Sequence, residues 1–242
     1  MTKEEVWLQK RVGIITASEL SEITSASGKI IEENVNYIRA KRWERLHKFA
    51  IPVTSRAMEW GKENEPYAIE WYRTNCPTED LIYAQDLPEI PFWTNPEVPG
   101  FGASPDAFTA DETTVVEVKN VSGKTTIEFF FDPYTAESEK RARVIKEHLP
   151  QILGQFLANP KVARIRLLKY CAQNDDILMD SDSPVAPWRG LLFDFERGDW
   201  SQPLGEMRER VALFNAFIAS KMNPSGFKEG HWSLKDGVLC KE

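Results

Sequence analysis

The spacing of apolar residues changes period twice along this chain. From Glu32 to Phe49, the residues Val35, Ile38, Leu46 and Phe49 fall at helical intervals, which predicts an amphipathic helix with these side chains on its apolar face. Upstream, a turn around Gly13 leads into Thr16-Ala17-Ser18-Glu19, where Thr16 as N-cap and Glu19 three residues later fit a capping box that opens a helix. Pro52 breaks the chain. A third helix is expected from Arg56 to Arg73, kinked or restarted at Pro66 because proline supplies no backbone donor. In the middle the period shortens: Leu81–Ala84 and Ala103–Phe108 are short strand candidates bounded by Pro and Gly, and Thr114–Lys119 alternates β-branched with charged residues. A charged helical stretch over Thr135–Ala158 follows, then strands at Ala163–Cys171 and Gly190–Glu196. A final helix over Leu204–Met222 carries Met207, Val211, Phe214, Phe217 and Ile218 on one side. This order predicts an α/β fold, a mixed central β-sheet flanked by helices. No repeat, low-complexity tract or Gly/Ser linker divides it, so residues 1–242 are expected to form a single domain with 223–242 as a C-terminal tail.

Composition narrows the function classes. With 42% apolar and 11% aromatic residues the chain can bury one large core. A net charge of -7, from 30 Lys+Arg against 37 Asp+Glu, argues against a protein that coats nucleic acid indiscriminately, since such binding relies on neutralising many phosphates. It leaves room for an enzyme whose basic groups line one channel and whose carboxylates hold cations. Cys76, Cys171 and Cys240 are scattered, with no C-x-x-C pair, so the sequence indicates neither a disulfide framework nor a zinc or iron–sulfur site. A charged N-terminus and the lack of a long apolar run point to no signal peptide and no membrane span, and the cytoplasm is the expected location.

The chemistry is concentrated in Ser104–Lys119, SPDAFTADETTVVEVK. Side chains alternate along a strand, so Val116 and Val118 point one way, toward core, while Glu117 and Lys119 point the other. A hairpin turn near Asp111-Glu112 would return Asp106 beside Glu117. Two carboxylates converging with an ammonium next to them suit a hard divalent cation that prefers oxygen ligands, with magnesium the first candidate. Taken alone, an E-x-K on an amphipathic strand is as readily a solvated face. Two other segments raise the odds. In Trp60–Pro66 (WGKENEP), Glu65 lies on a helix whose following residues Ala68, Ile69, Trp71 and Tyr72 form an apolar face, so its carboxylate could reach the same cluster. In Arg11–Ser18 (RVGIITAS), a guanidinium, two hydroxyls and the free amides of a helix N-terminus gather as an anchored phosphate requires, though an ordinary capped helix would look the same.

Together, RVGIITASE at Arg11–Glu19, W-G-K-x-x-E at Trp60–Glu65, and SPD followed by E-V-K at Ser104–Lys119 resemble the phage lambda exonuclease or YqaJ-type viral recombinase family of the PD-(D/E)xK nuclease superfamily. The resemblance spans about residues 7–172. It implies a Mg2+-dependent 5′-to-3′ exonuclease that degrades one strand of linear double-stranded DNA and uses two Mg2+ ions, for which Mn2+ can substitute. Carried over by position, Asp106, Glu117, Glu65 and the main-chain carbonyl of Val118 would ligate metal, and Lys119 would orient the attacking water. Gln151 would be the active-site glutamine, with Gln155 a rival because this segment lacks the family's usual Q-x-Q and because Pro150 suggests a helix that begins late. Arg11, Ser18 and Ser104 would hold the terminal 5′-phosphate. Met58 stands where relatives place an apolar wedge against the duplex end, a core methionine being the plain alternative. Residues 120–147 and the tail have no counterpart in the resemblance.

The implied partners are double-stranded DNA ends, a single-strand annealing protein that takes the exposed 3′ strand, and further copies of the chain in a homo-oligomeric ring, a trimer by family likeness. Two other functions fit the same fold. A restriction or repair endonuclease would share Asp106, Glu117 and Lys119 but would have no use for an end-phosphate pocket at Arg11 and Ser18. A catalytically silent DNA-binding module would not need the carboxylates and lysine intact.

Overall fold

The computed structural model describes residues 1–25, 29–51, 55–77, 80–122, 125, 127–172 and 183–241; the expected break at Pro52 lies outside the described residues. Its helices are α1 (Lys3–Arg11), α2 (Glu32–His47), α3 (Arg56–Asn75), α4 (Glu137–Ala158) and α5 (Ser201–Ala219). Its strands are β1 (Ile15–Thr16), β2 (Leu81–Tyr83), β3 (Trp93–Thr94), β4 (Phe101–Ala103), β5 (Ala107–Thr109), β6 (Thr114–Val121), β7 (Arg164–Cys171), β8 (Gly190–Glu196), β9 (Trp232–Lys235) and β10 (Val238–Lys241).

A mixed sheet runs β2-β5-β6-β7-β8, antiparallel throughout except for the central β6–β7 pair. Helix α4 joins those two parallel strands, as such a crossover requires. A small second sheet, β1-β4-β3, stands beside it, and β9 and β10 form a separate hairpin that follows a short turn at Pro224–Lys228. Phe227 of that turn is fully buried against Phe217 of α5, with ring centroids 4.1 Å apart.

Alternation along β6 and β7 distributes their side chains between two cores. Val115, Ile165 and Leu167 join the larger one with α4 and α5, while Val116, Val118, Leu168 and Tyr170 pack on Ala68, Ile69, Trp71 and Tyr72 of α3. Both faces of the sheet are therefore covered, which corrects the expectation of one core face and one chemical face. Glu117 and Lys119 share the face of Val115, near the C-terminal end of β6, where the apolar packing under α4 gives way to polar side chains.

Four further expectations change. Thr16–Glu19 opens a 3-10 helix, Ala17–Ile23, rather than an α-helix; the Thr16 amide still donates to Glu19 Oε2 at 3.1 Å. The expected strand Ala103–Phe108 is two strands in two sheets, β4 and β5, and Ser104–Asp106 is the link between them. On α2, Val35 and Ile38 are buried as expected, but Leu46 is 76% and Phe49 52% exposed. Toward its C-terminus this helix turns polar groups inward, Lys41 and Glu44, and they bind the chain near Gly13 and Glu19, leaving Leu46 and Phe49 outside. Finally, α3 runs through Pro66 without the restart that was one of its two expected outcomes, and α4 runs through Pro150, so α4 does not begin late. Each proline strands a carbonyl one turn earlier, at Lys62 and Lys146, and both residues are exposed, so water can take the missing bond.

Gly154 of α4 lies against the 3-10 helix so closely that an added Cβ would sit 2.6 Å from the Ala17 Cβ and 2.8 Å from its Cα. Gly154→Ala gains about 1 kcal/mol of helix propensity. Forcing the elements apart costs about 1–3 kcal/mol. The variant should therefore unfold at a lower temperature than the parent, read by thermal denaturation; a higher melting temperature would refute this close packing.

Candidate active site

Asp106 precedes β5, and the hairpin from β5 into β6 turns through Glu112, whose φ of +62° lies in the left-handed region. The register pairs Ala107 with Val116, which sets Asp106 beside the strand residues that follow. The Val118 amide donates to Asp106 Oδ2 at 2.8 Å. A strand residue presents its amide and carbonyl to the same neighbour, so the Val118 carbonyl faces this edge as well.

Glu117 is 3% exposed. A carboxylate so buried is costly unless its oxygens are met, and they are. Lys119 Nζ donates to Oε1 at 2.9 Å, Gln151 Nε2 makes a short bond to the same oxygen, and Gln155 Nε2 reaches Oε2 at 3.1 Å. Both glutamines thus contact Glu117, one helical turn apart on α4. Gln155 also donates to the Ser104 carbonyl at 3.1 Å, and its own Oε1 is buried with no partner among the described residues. From α3, Glu65 approaches the cluster and is bonded to the Tyr83 hydroxyl.

The electrostatics reflect three acids sharing one amine. Burial, then the charges of Glu117 and Glu65, push the Asp106 carboxyl well above the usual carboxylate range, against the pull of Lys119 and the Val118 amide. Burial also raises Glu65, with Glu117 adding to the shift and the Tyr83 bond opposing it. Burial disfavours the Lys119 ammonium, but Glu117 and Asp106 outweigh that and hold its pKa above the ordinary value.

A cleft of about 760 Å³ opens over this cluster. All the residues singled out from sequence line it: Asp106, Glu117, Val118, Lys119, Glu65 and Gln151, together with Arg11, Ser18, Ser104 and Met58. Met58 is 48% exposed, which excludes the core-methionine alternative. An Arg11 guanidinium nitrogen donates to Thr16 Oγ1 at 3.3 Å, and Thr16 Oγ1 lies 3.3 Å from Ser18 Oγ. Three neighbours escaped the sequence reading. The Trp7 indole donates to Ser104 Oγ at 2.6 Å while its ring lies 4.3 Å beneath Arg11. Asn120 donates to the Gly61 carbonyl at 2.7 Å and so ties β6 to α3. Lys169, in register with Lys119, lies 2.7 Å from His148 Nε2; burial and the nearby lysines push that imidazole down to about 3, so it stays neutral. A signal for Trp7 was available: Thr2 and Glu5 form a reciprocal capping box that starts α1, bonded at 3.2 and 2.7 Å.

The family model of the YqaJ-like viral recombinase domain matches residues 6–158. The chain belongs to the YqaJ-like viral recombinase family. Among solved structures, this YqaJ-like chain is similar to the alkaline exonuclease LHK-Exo of Laribacter hongkongensis, at 23% identity and a TM-score of 0.64 over 88% of this chain and 92% of that one. The complex of LHK-Exo with dAMP matches at 22% identity and a TM-score of 0.62, with the same coverage. A phage-related exonuclease from Haemophilus somnus 129PT matches at 14% identity and a TM-score of 0.60, over 85% and 93% of the two chains. At these identities the likeness establishes the fold alone, the mixed sheet flanked by helices described above. No curated protein matches the chain.

The donor set of the YqaJ-like site fits a hard divalent cation. Three carboxylates, a main-chain carbonyl and an unpartnered amide oxygen are all oxygen donors, and the acids carry more negative charge than Lys119 offsets. Among the described residues no three His, Cys, Asp or Glu side chains close into a finished shell. Glu117 is turned toward its lysine and glutamines, and ligation would require it to exchange one of them.

A raised folded-state pKa on an acid means that the folded chain binds the proton more tightly than the unfolded one, so stability falls as pH rises from the unfolded value through the folded one. In chelator at neutral pH, Asp106→Asn should therefore melt a few degrees above the parent, and the gap should shrink at acidic pH. Equal melting at neutral pH would show that the acids do not repel one another.

Proposed function

We propose that this protein is a Mg2+-dependent 5′-to-3′ exonuclease that degrades one strand of linear double-stranded DNA and leaves 3′ single-stranded overhangs for recombination by strand annealing. The observation that carries this reading is that a cationic, hydroxyl-lined cradle and a carboxylate–lysine cluster share one cleft, joined by the short Ser104–Asp106 link. A terminal phosphate held in the cradle fixes which phosphodiester meets the carboxylates, and that accounts for direction. An endonuclease has no use for such a cradle, and Arg11 and Ser18 at the same cleft as Asp106 favour the exonuclease.

In this reading Arg11, Ser18 and Ser104 bind the 5′-phosphate, with Trp7 bracing both Arg11 and Ser104. Asp106, Glu117, Glu65 and the Val118 carbonyl would hold two Mg2+ ions, which when bound would polarise a phosphoryl oxygen and acidify a water. Lys119 orients that water and meets the charge that develops on the phosphoryl oxygens. Gln151 and Gln155 hold Glu117 from the α4 side, and Met58 at the cleft mouth presses on the last base pair. Membership of a viral recombinase family and likeness to exonucleases from Laribacter hongkongensis and Haemophilus somnus support DNA as the substrate. A single-strand annealing protein as partner, a ring of identical subunits, a cytoplasmic setting and a single domain over residues 1–242 complete the reading.

Digestion of end-labelled DNA tests it. Linear duplex should be lost only with Mg2+ or Mn2+, faster from 5′-phosphate than from 5′-hydroxyl ends, while covalently closed circles persist; rapid cutting of closed circles would replace the reading with an endonuclease. Lys119→Ala should lower kcat by roughly 100-fold or more, the scale of a lost transition-state contact, with duplex binding nearly intact. Unchanged turnover would remove Lys119 from the chemistry.

A further inference from the structure

Beneath the cradle lies a buried charged group that the reaction itself does not use. Lys41 of α2 is 4% exposed, and its ammonium sits between Glu19 Oε1 at 3.0 Å and Glu44 Oε2 at 3.1 Å. We propose that Lys41 is a positioning residue for terminal-phosphate recognition: with Glu19 and Glu44 it forms an internal ion triad that fixes the Arg11–Ser18 segment and neutralises the floor under Arg11. This inference rests on the end-phosphate reading given above.

The triad holds the segment at both ends. Glu44 Oε2 accepts from the Gly13 amide at 2.9 Å, and Arg45 Nε donates to the Gly13 carbonyl at 2.8 Å. Gly13 has a φ of +68°, and a Cβ there would meet Arg45 Cγ at 2.3 Å, so α2 clasps this turn at contact distance. At the other end, Glu19 Oε2 accepts from the Thr16 amide and from the Tyr37 hydroxyl, each at 3.1 Å. Arg11 therefore leaves a clamped turn and reaches a clamped Thr16. The charges act in the same sense. Glu19 and Glu44 are near enough to act on the Arg11 guanidinium. Without Lys41, two acids face a single arginine, and the guanidinium is drawn down onto them instead of outward to a phosphate. With Lys41 in place, one acid is balanced from within and Arg11 keeps its charge for the ligand.

The test uses the full chain with Mg2+ on linear duplexes that differ only in carrying a 5′-phosphate or a 5′-hydroxyl. In Lys41→Met, KM for the phosphorylated duplex should rise and the phosphate-over-hydroxyl ratio of kcat/KM should fall by about tenfold, the size of one weakened charged hydrogen bond. Lys41→Arg, which keeps the charge, should recover most of that ratio. Tyr37→Phe removes one bond to Glu19 with all charges intact and should lower the ratio more mildly, so it carries the test if Lys41→Met does not fold. A role confined to stability would lower activity on both duplexes in parallel, and a parallel loss or an unchanged ratio overturns the inference. Absence of any phosphate preference in the parent enzyme would instead overturn the end-phosphate reading, and the inference with it.

Discussion

A glutamate almost shut off from solvent, at the end of a strand covered on both faces, is the constraint from which the rest of the site follows. Burial of such a group is tolerated only when each oxygen is met by a donor with good geometry. Glu117 obtains its donors from Lys119 two residues along the same strand and from Gln151 and Gln155 on α4. That demand reaches far into the fold. Helix α4 must stay helical through Pro150 to present two glutamines one turn apart, and it must approach the 3-10 helix within contact of a glycine to seat them. The parallel β6–β7 pair that α4 bridges is what carries the helix back across this face.

The cluster is poised against itself. Glu117 and Glu65 raise the proton affinity of Asp106, Glu117 raises that of Glu65, and one lysine cannot neutralise three acids. Proteins accumulate such local frustration where function needs it, and stability improves when it is removed. A divalent cation is the natural counter-charge for a set made wholly of oxygen donors. In the structure Lys119 and the two glutamines occupy the lone pairs of Glu117.

Much of this was legible in the residues because it obeys local rules. Alternation along Thr114–Lys119 placed Glu117 and Lys119 on one side, and the Asp111-Glu112 turn brought Asp106 back beside them, as the β5–β6 register bears out. The apolar run after Glu65 correctly marked the buried face of α3. What periodicity could not supply was tertiary. Leu46 and Phe49 have the spacing of a buried face, yet α2 turns Lys41 and Glu44 inward at that end because the Gly13 turn needs polar partners. Ala103–Phe108 was expected to be one strand although Pro105 stands inside it, a residue that cannot donate to a ladder, and its two ends pair in different sheets. The choice between Gln151 and Gln155 had no answer in sequence, since a helix places both on the same carboxylate.

Ser104–Asp106 joins the two parts of the cleft. The segment is too short to bend independently: Ser104 is held by Trp7 through its hydroxyl and by Gln155 through its carbonyl, and Asp106 is held by the Val118 amide. Gln155 in turn grips Glu117. The proposed phosphate cradle and the carboxylate cluster are therefore parts of one hydrogen-bonded frame rather than two sites that happen to be near. A frame of this kind fixes the distance between an anchored chain end and the reacting centre, because neither can shift without breaking bonds to the other. Orientation of a substrate to within a fraction of an ångström is worth many powers of ten in rate, so rigidity in that link is the property that end recognition most needs. Lys41 supplies the same rigidity from below, on the side of the cradle that the Ser104–Asp106 link does not reach.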